Sequence, residues 1–222
     1  SMPMSASMRA GASLYGASLD HDSTLLNLSL RARDWYRSLK LRSGLFCADR
    51  PAPDQANAKA RIAYVDTQSH HRLLERVIAS HDPALVDVFL YSSKAFPTLP
   101  VHVRREPLTL ETLAQSCAAN RIDVVIDTGG LHPFEGQLGL LDCYARRVAP
   151  LQVGWLGTWG SAGGLFDALI VDDASVPQDS ECHYEEDLWC LKGGQWCWSP
   201  PMHAPAPVPA PGLSMGCVTY GV

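Results

Sequence analysis

No stretch of this 222-residue sequence is apolar for long enough to read as a membrane span. Its longest apolar runs, such as "DVVID" and "DALIV", fall far short of the ~20 residues that a spanning helix needs. A surplus of positive charge is also missing: 18 Lys and Arg stand against 23 Asp and Glu, for a net charge of −5. Neither nucleic acid nor a membrane surface is therefore expected as a partner. The seven cysteines are odd in number and scattered, without the tight spacing of a disulfide scaffold, so reduced thiols are expected. Cys182, His183, Cys190 and Cys197 include no C-x-x-C pair and are interleaved with Trp189, Trp196 and Trp198. Buried thiols, and no metal, are expected there. The opening "SMPMSASM" has neither a charged n-region nor an apolar h-region, and its leading Ser-Met looks like a cleavage scar. A cytoplasmic protein is expected.

Hydrophobic residues make up 46% of the chain and charged residues 18%, a balance that allows one large globular domain or two small ones. Residues 1–27 are small, polar and aperiodic and read as an irregular arm. Residues 28–60 follow as an amphipathic helix, "LSLRARDWYRSLKL", and a Pro- and Ala-rich linker. From residue 61 to 199 strand and helix signals alternate. Strands are expected at Arg61–Val65, Val86–Tyr91, Asp123–Asp127, Leu151–Trp155 and Asp167–Val171, with further ones at "LPVHV" and "EDLWCL". Helices are expected at "HRLLERVIASH", "LTLETLAQSCAAN" and "GQLGLLDCYARRV". This alternation predicts an α/β fold, a Rossmann-like parallel sheet with flanking helices. Residues 200–215 read as an extended Pro-rich linker, and 216–222, "GCVTYGV", as a strand opening another domain. No internal repeat is visible.

Ligands of open parallel sheets bind outside the carboxyl ends of the strands. That rule selects the loops "DTQSHH", "DTGGLHPFEG", "GTWGSAGG" and "DDASVPQD". His70 and His71 are candidate general bases or hydrogen-bond donors to a phosphate, since imidazole titrates near neutral pH, and His132 is a further candidate in a glycine-containing loop; capping or solvated histidines, and for His132 a turn residue without a role, are the competing readings. "GTWGSAGG" lacks the Lys-Ser/Thr ending of a Walker loop and contains no G-x-G-x-x-G, so it is no nucleotide site by itself. Asp66, Asp127, Asp172 and Asp173 lie at or just beyond strand ends, where carboxylate chemistry or cation binding is one reading and capping of the following helix or turn the commoner one.

The order of these segments resembles the catalytic region of O-GlcNAc transferases and SPINDLY-type glycosyltransferases. "RIDVVIDTGG" is followed by a helix and by "RRVAPLQVGWLGTWGSAGGLFDALIVDDASVPQDSECHYEEDLWCL", then by "SPP" and "GCVTYG". Ala149-Pro150-Leu151-Gln152-Val153 and Trp155-Leu156-Gly157 reproduce the central motif, and Asp167, Asp172, Pro177, Tyr184 and Glu185 keep the downstream order. Residues 28–222 are covered. Departures are the absence of a proline after His70, the longer "GGLHPFEGQ" without its arginine, and "TWGS" where the family has "YPGT".

The resemblance implies the first lobe of a GT-B glycosyltransferase, which transfers a sugar from a nucleotide-sugar donor, usually UDP-GlcNAc, to protein side chains. No cofactor is implied beyond that substrate. The expected partners are the nucleotide sugar, an acceptor protein or peptide, and a second catalytic lobe that this chain lacks. Candidate catalytic residues are His70, His71 and His132. Candidate substrate-binding residues are Gly129, Gly130, Leu156, Gly157, Thr158, Gly160 and Ser161, with loop amides as the main contribution of "GTWGSAGG". The alternative is a diverged, non-catalytic GT-B-like binding domain, motivated by the altered histidine and glycine loops.

Overall fold

The structure is a computed structural model and describes residues 6–42, 59–68, 70–96, 98–109, 112–131, 137–201, 203–206 and 208–218. Seven strands form one sheet: β1 (Ala60–Asp66), β2 (Val86–Ser92), β3 (Arg104–Glu106), β4 (Val124–Asp127), β5 (Leu151–Gly154), β6 (Ala168–Asp172) and β7 (Asp187–Leu191). Their order is β3-β2-β1-β4-β5-β6-β7, and every pairing is parallel. This is the doubly wound Rossmann-like arrangement, with its reversal of direction between β1 and β4.

Strand residues alternate between two cores, as the period of two requires. Ala63, Val65, Phe89, Tyr91, Val125, Leu169 and Val171 face one side. There they meet α4 (Leu113–Ala119), α5 (Gln137–Ala145) and two N-terminal helices, α1 (Ala6–Ser18) and α2 (Leu25–Arg42). Tyr64, Val88, Leu90, Ile126, Val153 and Ala168 face the other side, where α3 (His71–Ser80) lays Leu74 and Ile78 against them. Gln152, in the middle of β5, points into the first core and is fully buried. Its amide accepts from Val148 N (2.8 Å) and donates to Tyr144 O (3.0 Å) and Leu165 O (3.4 Å), so three flanking segments are stitched to one strand.

Several expectations need correction. The irregular arm expected over residues 1–27 contains α1, a helix of Ala, Met and Leu broken up by Gly and Ser. Helix propensity supports it, but its buried stripe, which includes Leu14 and Ala17, is too small to show as amphipathic periodicity. The next helix begins at Leu25 instead of Leu28, because Thr24 caps it by accepting from Asn27 N at 3.2 Å. "LPVHV" is no strand: Val103 N donates to Pro100 O at 3.1 Å and closes a turn, and pairing with β2 starts only at Arg104.

At the other end, the stretch expected to be an extended linker ends in a short helix, α6 (Pro211–Met215). Pro211 sits in its first turn and Gly216 stops it with φ 64°. Of the strand expected over 216–222, Gly216 to Val218 follow this cap without strand pairing, and 219–222 lie outside the described residues. The thiols expected to be buried near the edge are not: Cys182 and Cys190 are exposed and Cys197 is half-buried. Of the three, only Cys190 lies on β7, the edge strand of the sheet. Among the described residues no helix is long and apolar enough to cross a membrane.

Replacing Gln152 by Ala should strand one amide and two carbonyls in the core. We expect a loss on the order of 3 kcal/mol, read as a lower urea midpoint with an unchanged m-value.

Candidate functional site

The reversal of strand order puts β1 beside β4 while the helices that follow them pack on opposite faces, and the carboxyl ends of such a strand pair are where open parallel sheets take their ligands. Asp66 ends β1 there and is fully buried. A buried carboxylate must be surrounded by donors to be tolerated. Asp66 accepts from His70 N (3.2 and 3.1 Å to its two oxygens), His70 Nδ1 (2.9 Å), Gln68 N (3.3 Å) and Thr128 Oγ1 (3.2 Å). The contact to Asp66 makes Nδ1 the protonated nitrogen of a neutral His70 ring and leaves Nε2 with its lone pair. The His70 side chain is 19% exposed, so part of it reaches solvent while the carboxylate does not. His70 also starts α3, its carbonyl accepting from Leu73 N and Leu74 N.

His71 is directed elsewhere. Its ring meets Phe96 edge-on at 6.4 Å, and it lines a cavity along α3. The third candidate, His132, lies outside the described residues.

The loop after β4 is tied to both neighbours. Gln68 Nε2 donates to Gly129 O at 3.2 Å, and Gly130 N donates to Asp127 Oδ2 at 2.6 Å, while Tyr144 OH holds the other Asp127 oxygen at 2.9 Å. Burial and the adjoining Asp127 charge push the Tyr144 hydroxyl well above its ordinary pKa, which keeps it a donor. Gly130 has φ 56°, and a Cβ there would overlap the Gly157 carbonyl; a Cβ on Gly157 would overlap the Gly129 carbonyl. The loops after β4 and β5 thus touch backbone to backbone, at a distance that only glycine permits.

Just before that contact, Leu156 is held at φ 64°, and Gly157 N donates back to Trp155 O at 2.7 Å. A non-glycine residue in this region is a small store of strain, which such sites often carry. The Thr158 hydroxyl is buried with no hydrogen-bond partner among the described residues.

Beyond Gly160 the loop is turned inward. Ser161 Oγ donates to Glu186 Oε2 at 2.8 Å, and Ala162 N and Gly164 N donate to Glu186 Oε1 at 2.9 and 2.8 Å. Gly163 N donates to Ser161 Oγ at 3.0 Å. The amides of 162–164 therefore serve the protein itself, which overturns the expectation that they face a ligand. Gly163 also packs so closely on the Ala32 carbonyl of α2 that a Cβ would overlap it. Burial raises the Glu186 carboxyl above its usual pKa, and the donors around it pull the other way. Asp172, at the end of β6, accepts from Ser175 N (2.7 Å) and Gln195 N (2.8 Å), the capping role that its position suggested.

No protein-family model matches the chain. It is similar to two proteins named probable UDP-N-acetylglucosamine–peptide N-acetylglucosaminyltransferase SPINDLY. The one from Petunia hybrida is 26% identical over 178 residues, which is 72% of this chain and 19% of that protein. The one from Arabidopsis thaliana is 32% identical over 110 residues, 49% of this chain and 12% of that protein. Among solved structures, a mutant O-GlcNAc transferase from Thermobaculum terrenum superposes with a TM-score of 0.71 at 24% identity, over 92% of this chain and 41% of that one. The chain is similar in sequence to part of the SPINDLY proteins and in fold to part of an O-GlcNAc transferase. The chain spans about a fifth or less of these two relatives, and its Rossmann-like parallel sheet with flanking helices is the fold it shares with the solved O-GlcNAc transferase, a GT-B enzyme.

Sequence reasoning singled out Glu185 and passed over its neighbour. Glu185 pairs with Arg33 at the surface, whereas Glu186 is buried and clasps the glycine loop. No local pattern carries that role, because the partners lie 22 to 25 residues away. The link from Asp66 to His70 was accessible: the two are four residues apart across a strand end.

Removing the Glu186 clasp should free the loop without unfolding the sheet. In Glu186→Ala, amide hydrogen exchange at Ala162 and Gly164 should speed up by about tenfold or more, equivalent to ~1.4 kcal/mol of lost local protection. Glu186→Gln, which retains an acceptor for both amides, should stay close to wild type.

Proposed function

We propose that this region is the N-terminal lobe of a protein glycosyltransferase of the O-GlcNAc transferase/SPINDLY type, working on a nucleotide-sugar donor and a protein or peptide acceptor. The observation that carries this reading is the Asp66–His70 pair at the switch between β1 and β4, where an open parallel sheet presents its ligand crevice. The names of the similar proteins favour UDP-GlcNAc as donor. It acts as substrate, and the reading requires no cofactor. A cytoplasmic setting belongs to the same proposal and rests on the odd number and scattered spacing of the seven cysteines.

In this mechanism the acceptor hydroxyl oxygen attacks the anomeric carbon of the donor. The bond from that carbon to the diphosphate oxygen breaks, and its electron pair leaves with the diphosphate. The hydroxyl proton passes to Nε2 of His70, and the resulting imidazolium is stabilised through Nδ1–H by the Asp66 carboxylate. Gly129, Gly130, Leu156, Gly157, Thr158 and Gly160 form the adjoining rim, with Ser161 as the hinge at which the loop turns toward Glu186. Charge on the departing diphosphate needs cationic or N–H groups, and the reading assigns these to a second lobe. The lobe by itself therefore transfers no sugar.

The test uses the two-lobed protein. His70→Ala should lower kcat for sugar transfer to a protein acceptor by ~10²–10⁴-fold. Asp66→Asn should lower kcat with little change in KM, because it favours the opposite tautomer while the substrate contacts persist. Near-wild-type rates in both folded variants would remove His70 from the chemistry, and an inactive parent protein would move the weight to a non-catalytic binding role.

A further inference from the structure

A sizeable cavity flanked by described residues lies away from the His70 rim. It has a volume of about 680 Å³ and runs along the outer side of α3, with Ser199, Pro200, Pro201 and His203 on its opposite wall. Ser199 N donates to Arg72 O at 2.7 Å and pins that wall to the helix. The volume is in the range of small-molecule sites.

The helix contributes Arg72, Glu75, Arg76 and Ala79 to this cavity. Their spacing of three and four places them on one side of α3, opposite Leu74 and Ile78 in the core. In a protein of net charge −5, the ionisable lining is two arginines and two histidines, His71 and His203, against a single glutamate. Arginine pairs one turn apart are suited to an anion with several oxygens, since each guanidinium offers a planar fork of donors. A bare anion would leave part of the site unmatched. Glu75 Oε1 is buried with no hydrogen-bond partner among the described residues, and so is Ser199 Oγ. A buried carboxylate oxygen without a donor is costly, and a ligand hydroxyl would relieve it. Ala79, Pro200 and Pro201 add apolar surface against which the C–H face of a sugar ring can lie.

We propose that the cavity between α3 and the wall of Ser199, Pro200 and Pro201 is a second ligand site, separate from the His70 rim, for a hydroxyl-bearing phosphate ester of the sugar-phosphate type. Arg72 and Arg76 hold the phosphate, Glu75 accepts from a sugar hydroxyl, and the Ser199 hydroxyl completes the polar contacts. This inference does not depend on the transfer reaction proposed above.

Calorimetric titration of the 222-residue chain with glucose 1-phosphate, inorganic phosphate and glucose tests it. Saturable binding of glucose 1-phosphate is expected, about tenfold or more tighter than either fragment. The double variant Arg72→Gln, Arg76→Gln should weaken it about tenfold or more. Glu75→Gln should weaken glucose 1-phosphate but not inorganic phosphate, and His70→Ala should leave binding intact. Circular dichroism and the melting temperature check that each variant is folded. Absence of saturable binding, equal affinity for inorganic phosphate or for glucose, or an unaffected arginine double variant would overturn the proposal. Loss of binding in His70→Ala would also overturn it, by placing the ligand at the rim.

Discussion

The crevice is organised around a carboxylate that cannot leave the protein interior. Asp66 is fully buried at the end of β1, and its charge is tolerable only while donors surround it. Those donors come from the loop that follows β1, from the first residue of the α3 cap and from the loop after β4. Satisfying Asp66 therefore fixes, at one point, where α3 starts, how the His70 ring is turned and how the β4 loop lies. Gln68 extends the constraint to Gly129, and the glycine contact between Gly130 and Gly157 carries it to β5.

A second buried carboxylate does the corresponding task farther along the same edge. Glu186 gathers the hydroxyl of Ser161 and the amides of Ala162 and Gly164, so a run of sequence that looks permissive is held in one conformation. Gly163 then lies directly on the backbone of α2, which makes the N-terminal helices part of the platform that supports the rim. What stays on the rim is the shorter piece from Leu156 to Gly160, with a strained Leu156 and a buried Thr158 hydroxyl that no described residue engages. A glycine-rich loop here means close backbone packing on three sides more than a row of free amides.

Much of the sheet was legible in the sequence, since parallel strands buried on both faces are written as short apolar runs between turn residues. β1, β2, β4, β5 and β6 fall within a residue of their expected positions. What was not legible depends on distant partners or on unusually small side chains. α1 buries Leu14 and Ala17 instead of a wide apolar stripe, and β3 is displaced by a turn whose hydrogen bond is visible only in three dimensions. At the site, histidines and glycines were visible as residue types, but adjacency in sequence hid the divergence of His70 and His71. One belongs to the strand-end carboxylate and the other to Phe96 and the cavity on α3.

The central claim is that Asp66 sets the tautomer of His70 and leaves Nε2 available at the crevice. Nitrogen-15 NMR of the histidine side chains at pH 8.5, where an ordinary imidazole is neutral, reads this directly. The account predicts that His70 carries its proton on Nδ1, with the resonance position of an unprotonated Nε2, and that Asp66→Asn shifts the ring toward the other tautomer. A wild-type His70 protonated on Nε2, or a ring averaging freely between both forms, would contradict it.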